Sequence, residues 1–191
     1  MTSEQDLIDS DYDSLSDSDI IVMLILDGDT SVSKTRLQKT SLLYRKLNKK
    51  TTDVTDFDVD LFGGYFDDID ESATNLTDMG ILKEDRYGYS LTEYGRNLHR
   101  FILDEYDDMD QIKRIENIKS ATALIPDRNL VGLSYHFYKE IAVSSAIRES
   151  VKKLNDRSSY DGIPLSEYNK ADFESKLRSG TPISMERRRF R

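Results

Sequence analysis

Ionisable side chains abound in this chain, 36 Asp and Glu against 27 Lys and Arg, but few stand at a spacing that could do chemistry. The two histidines, His99 and His136, fall on predicted helices with no Asp or His partner at ligand spacing. That pattern suits neither a general base nor a metal pair. The run Asp104-Glu105, Asp107-Asp108 and Asp110 lacks the glycine and the closing glutamate of a calcium loop, so it reads as a solvated charge run. Gly63-Gly64 is not followed by Gly-Lys-Ser/Thr and is no phosphate cradle. The absence of cysteine removes thiolate chemistry and disulfides. These readings predict a non-enzyme with no catalytic residue, no metal site and no cofactor.

What remains is electrostatic. Between Lys34 and Lys50 stand seven bases (Lys34, Arg36, Lys39, Arg45, Lys46, Lys49 and Lys50) and no acid. Such a stretch either neutralises a row of phosphates or forms the solvated face of an amphipathic helix. Residues 51–82 show the reverse, nine acids and no base. Residues 1–19 add seven acids and no base, so a net charge of −9 leaves only −2 for the rest. Local patches, more than net charge, therefore decide the partner. The chain ends Arg187-Arg188-Arg189-Phe190-Arg191, suited to phosphate, to an acidic surface or to a merely solubilising end. Tyr135, Phe137 and Tyr138 have the rings for a stacking platform. At helical spacing such rings more often serve a core or a dimer contact.

The elements that must position these patches follow from periodicity and caps. Residues 1–16 are Asp/Ser-rich with isolated Leu7, Ile8, Tyr12 and Leu15, which predicts a disordered acidic arm. Ser16 to Asp19 starts a helix through the apolar run Ile20 to Leu26. Seven apolar residues also suit a buried strand, but the cap residues favour helix. Thr35 and Gln38 form a capping box for a basic second helix, with Leu37, Thr40, Tyr44 and Leu47 on one face. Leu42 sits among the bases, a sign that something covers that surface. Phe62, Phe66, Ile69, Ala73, Leu76 and Met79 make the stripe of an acidic third helix, with Gly80 as its C-cap. Short strands around a turn at Arg86 to Gly88 follow, and Thr92 caps a helix bearing Leu98, Phe101 and Ile102.

Beyond Tyr106, an isoleucine-spaced helix (Ile112, Ile115, Ile118) stops at Pro126. One or two helices span Leu130 to Leu154, a turn lies at Asp161 to Pro164, and a short last helix carries Phe173 and Leu177. The fold class is thus mainly α, with a helical extension over 107–178 and a basic flexible tail over 179–191. The longest apolar run is far short of the roughly 20 residues that span a bilayer. With an acidic start and no cysteine, it predicts a cytoplasmic protein without membrane contact.

At Leu37-Gln38-Lys39, Phe62-Gly63-Gly64-Tyr65, Met79-Gly80-Ile81-Leu82 and Tyr89-Ser90-Leu91-Thr92-Glu93-Tyr94-Gly95, residues 17–106 resemble a broad prokaryotic, archaeal-type group of proteins. These are the winged helix-turn-helix proteins related to PadR and MarR regulators and to YwgA- and Panacea-type domains. A weaker echo lies at Leu133 to Tyr138. The resemblance implies a three-helix core with a two-stranded wing, binding to double-stranded DNA, and a homodimer built from the C-terminal helices. Phosphate contacts would come from the seven bases of the second helix and from Lys83 and Arg86 of the wing.

Two departures stand out. Gly64 replaces the usual proline, and Phe66 takes the place of a small cap residue, leaving Asp67 to cap. The outward face of the third helix, which in a repressor meets base edges, is Asp67, Glu71, Thr74 and Asp78. Carboxylates there face phosphate repulsion of about 1 kcal/mol each even at water-like dielectric. Two functions of different class follow. One is a winged-helix DNA-binding transcriptional regulator. The other is a winged-helix protein-interaction module, antitoxin-like or a complex-assembly subunit, that engages a basic protein through Asp67, Glu71 and Asp78.

Overall fold

The computed structural model describes residues 4–26, 30–48, 66–138, 149 and 152–187. Caps set the first elements. A helix starts at Ser16 to Asp19 as the sequence predicts, and Ser16 caps this α2 (Asp17–Ile25) in a reciprocal box with Asp19. Every residue from Ile20 to Leu26 is buried, which makes α2 the hub against which α3 (Lys34–Leu47), α4 (Asp67–Asp78), α5 (Glu93–Glu105) and α6 (Met109–Thr122) pack. The acidic arm is not an arm. Residues Glu4–Ser14 form α1, which lies along α5. Ile8 is buried, and Tyr12 meets the edge of Phe101 at 5.3 Å. The Tyr94 hydroxyl donates to Asp11 at 2.6 Å. The few apolar residues of this segment make no core of their own but suffice to dock on one that exists.

The cap of α3 also differs from expectation. Ser33, not Thr35, accepts from the Arg36 amide at 3.0 Å. Gln38 is thereby freed for another task. Its carboxamide accepts from the Phe66 amide at 3.0 Å and donates to the Phe66 carbonyl at 3.1 Å. Phe66 is the N-cap residue of α4 with no side-chain cap bond, and Asp67 is the first helical residue and not the cap. Ile69, Ala73 and Leu76 face the core, whereas Met79 is 43% exposed because the chain leaves the helix there. Gly80, at φ +75°, makes the reversal. Phe62 and Gly63-Gly64 lie outside the described residues.

Next come β1 (Leu82–Asp85) and β2 (Gly88–Leu91), antiparallel, with Asp85 opposite Gly88. Val32 adds a bridge on the other side of β2, exchanging backbone bonds with Tyr89 at 2.7 and 2.9 Å. Gly88 is required there: at φ +137° a Cβ would sit 2.0 Å from the Val32 carbonyl oxygen. Thr92 caps α5, as predicted, by accepting from the Gly95 amide.

The C-terminal third is not a purely helical extension with a loose tail. After α6 and α7 (Asp127–Phe137), three short antiparallel strands assemble in the order β4-β3-β5: β3 (Ser158–Tyr160), β4 (Ile163–Pro164) and β5 (Met185–Arg187). Between β4 and β5 runs α8 (Lys170–Ser179), which packs on α6. Residues 179–187, expected to be mobile, are tied down. Ile183 is fully buried, its amide donates to the Ala121 carbonyl at 2.9 Å, and β5 pairs with β3. Asp161 holds this corner, accepting from Lys176, from the Tyr168 hydroxyl (2.8 Å) and from the Ser184 amide (3.0 Å). Burial opposes its ionisation, but those bonds prevail and keep the carboxyl below the usual aspartate range. Tyr135, Phe137 and Tyr138 are buried, with Phe137 stacked on Phe173 at 4.6 Å. They are core, not a stacking platform.

Candidate interaction surfaces

The cations of α3 are where the structure departs furthest from the charge pattern. Both α6 and α7 pack on α3, so it is a central helix and not a solvated one. Leu42 is fully buried, covered within the chain. Arg36 reaches α7: its Nε donates to Asp127 at 2.8 Å, and its other nitrogens donate to the carbonyls of Thr122 (3.3 Å) and Ile125. Ser33 bonds the same Asp127. Arg45 forks onto Asp68 and lies over the Phe66 ring at 4.1 Å. Lys34 pairs with Glu84 of the hairpin at 2.8 Å. That bond, with the Tyr89 hydroxyl, holds the Lys34 ammonium above its ordinary range.

Lys39 is only 3% exposed, its ammonium 5.2 Å from the Tyr135 ring centre. Burial pushes it down from 10.5 to about 8. Lys46 is half-buried, and Lys49 and Lys50 lie outside the described residues. Of the bases predicted to grip phosphate, Arg36, Lys39 and Arg45 thus face inward. Lys83 and Arg86 of the hairpin are exposed, with Arg86 over the Tyr87 ring at 4.6 Å.

α4 behaves oppositely. Asp67, Glu71, Thr74, Asn75 and Asp78 are all exposed along one helix, about 16 Å from first to last at 1.5 Å per residue. Asp68 turns inward, to Arg45 and to Ser18 (2.5 Å). Burial would raise its carboxyl, yet these bonds keep it below the usual range. Carboxylates in the first turn suit the positive end of the helix dipole, so Asp67, Asp68 and Asp70 have a structural role. Asp78 does not: it stands in the last turn, where a negative charge is unfavourable and no base accompanies it.

Sequence reasoning missed the partners of the buried cations. Asp127 lies 91 residues from Arg36 and Asp68 lies 23 from Arg45. No local pattern reveals pairs so far apart. It also missed Lys113, Arg114 and Arg178, which are interspersed with acids and never form a run. Among the described residues no helix is long and apolar enough to cross a membrane, and no cluster of His, Asp or Glu is placed to hold a metal. Comparisons with family models, with curated proteins and with solved structures find no match to this chain.

Proposed function

We propose that this chain is a winged-helix protein-interaction module that receives a basic partner on the acidic face of α4. The observation that carries the reading is the sorting of charge. The carboxylates of Glu71 and Asp78 stay in solvent, while Arg36, Lys39 and Arg45 are engaged inside the fold. An exposed Asp78 against the helix dipole has no stabilising role in the fold, and a basic partner supplies one. The order α2, α3, α4, hairpin, α5, with the Val32 bridge, supports the winged-helix part. The test is recovery of partners by tagged full-length protein from its own cells at low salt. Loss of a partner from D67N/E71Q/D78N, but not from a control E149Q/D156N/D172N, is expected. Equal recovery by both would sink the reading.

A second reading, a homodimeric DNA-binding regulator of the PadR/MarR-like kind, draws support from the exposed Lys83 and Arg86 at the hairpin. The two readings differ in salt dependence. Contacts from the two hairpin cations alone give a log–log slope of about −2, or roughly a tenfold loss of affinity between 50 and 200 mM salt. Contacts from all seven bases of Lys34 to Lys50 would give a slope near −6 and a loss of several thousandfold. Titration of labelled upstream and unrelated duplexes measures the slope directly. Binding with the steep slope would require α3 to release Arg36 and Arg45 and would favour the regulator.

A further inference from the structure

Asp110, Lys113, Arg114 and Asn117 stand at i, i+3, i+4 and i+7 of α6 and share one face. Opposite them lie Leu177 and Arg178 at the end of α8, and Leu47 and Asn48 at the end of α3. Together these residues line a groove of about 710 Å³, within the roughly 300–1,000 Å³ of small-molecule sites. The two leucines behind it, Leu47 and Leu177, are buried, so the apolar surface it offers comes mainly from the stems of Lys113, Arg114 and Arg178. Its charge comes from three cations and one carboxylate, Lys113, Arg114 and Arg178 against Asp110, a net +2 among the lining residues.

The walls are fixed by polar contacts, two of which engage the arginines. Arg114 donates to the Asn48 carboxamide oxygen at 2.8 Å, and Asp110 stands 3.9 Å away. Asn117 donates to the Arg178 carbonyl at 2.6 Å, tying α6 to the end of α8. The Arg178 guanidinium lies 3.5 Å from the Leu47 carbonyl and 3.9 Å from Glu174. Arg114 and Arg178 are each about half-exposed, and each carries a five-donor fork suited to a phosphate.

We infer that this groove binds a small organic phosphate. Its phosphate would lie between Arg114 and Arg178 with Lys113 beside them, and its body along the stems of these side chains. A phosphate monoester carries about −1.5 to −2 at neutral pH, enough to compete with Asp110 for Arg114 and with Glu174 for Arg178. A nucleic-acid strand tracks cations set in a row. Here they stand on two helices that line one groove, Lys113 and Arg114 on α6 and Arg178 on α8. The groove involves none of the α4 acids, so this inference stands or falls independently of the proposed function.

Isothermal titration of the full chain at about 50 mM salt, with AMP as the probe, tests it. One AMP per chain is expected to bind, adenosine is not, and inorganic phosphate is expected to bind more weakly than AMP. R114Q/R178Q should weaken AMP binding by about tenfold or more, with an unchanged thermal midpoint. Should that double variant fail to fold, K113Q, on an exposed side chain, carries the test with a severalfold loss. E71Q/D78N should bind AMP as the natural chain does. Absence of AMP binding, or AMP binding unaltered in K113Q and R114Q/R178Q, overturns the site. Adenosine binding as tightly as AMP does so too, and phosphate binding as tightly as AMP overturns the contact of the ligand body with the groove.

Discussion

α3 and α4 are neighbouring amphipathic helices of similar length and opposite charge, yet only one of them keeps its charge in water. α3 has cations on most of its circumference and nevertheless buries nine residues from Leu37 to Leu47. α4 has a clean apolar stripe and leaves Asp67, Glu71 and Asp78 exposed. The difference lies in side-chain length. Arg and Lys stems run several carbons along apolar neighbours before delivering their charge. α6 and α7 can therefore cover α3 while Arg36 reaches Asp127 and Arg45 reaches Asp68. An aspartate carries its charge one carbon from the backbone, so covering α4 in the same way would strand unpaired carboxylates at several kcal/mol each. A basic run thus says little about exposure, whereas an acidic helix face stays exposed unless cations come to it.

The sharpest way to break this comparison is to remove an apolar side chain from each helix. Leu42→Ala, in the middle of the basic run, should cost about 3 kcal/mol in urea unfolding, because a fully buried leucine leaves a cavity. Met79→Ala, at the end of the acidic helix and 43% exposed, should stay within about 0.5 kcal/mol. Equal costs would mean that α3 is not covered as described.

That asymmetry also marks how much was legible beforehand. Ser16 and Thr92 were readable as caps, and Ile69, Ala73 and Leu76 as a buried stripe, since each signal is local. The turn at Asp161 and Gly162 was readable too, both residues adopting positive φ. Leu42 was a partial clue: one leucine among cations implied a cover without saying what it was. The partners of Arg36 and Arg45, the docking of α1 on α5 and the pairing of β5 with β3 all depend on contacts distant in sequence. Composition misled at both termini, where a few apolar residues (Ile8 and Ile183) found a core that the rest of the chain supplies.

Lys39 gives the next largest effect, through pH. Its folded value of about 8 lies below the ordinary 10.5 because burial disfavours the charge. Below pH 8 both folded and unfolded chains hold the proton, and the folded state bears the full cost of the buried ammonium. Between pH 8 and 10 the unfolded chain binds more protons, so stability must rise with pH, by on the order of 2 kcal/mol. Above about pH 10 buried tyrosines such as Tyr160, raised by burial, reverse the trend. Urea midpoints across pH 7 to 10 measure this. Lys39→Met should flatten the rise and be more stable than the natural chain at pH 7. A flat profile in the natural chain would place Lys39 in solvent.

Arg36→Ala should cost about 2 kcal/mol, since it removes the cation paired with Asp127 and one donor each from the carbonyls of Thr122 and Ile125. The paired change Arg36→Ala with Asp127→Ala should cost less than the sum of the singles, the signature of a direct contact. Lys34, paired with Glu84 but about half-exposed, supplies the contrast on the same helix. Its removal should be worth well under 1 kcal/mol and vanish in high salt.

The smallest stability effect is the most informative about function. Asp78 stands exposed in the last turn of α4, where the helix dipole disfavours a negative charge. Asp78→Lys should therefore stabilise the fold by about 0.3–1 kcal/mol at low salt. Placed on the face proposed to receive a basic partner, the same lysine should weaken that association sharply, because like charges now meet at the contact. A thermal melt and a partner-recovery assay on this one variant separate the two roles. Higher stability with lost association means the acid is kept for the partner. Lower stability would mean that Asp78 serves the fold through a contact of its own, and the argument for an acidic docking face would rest on Glu71 alone.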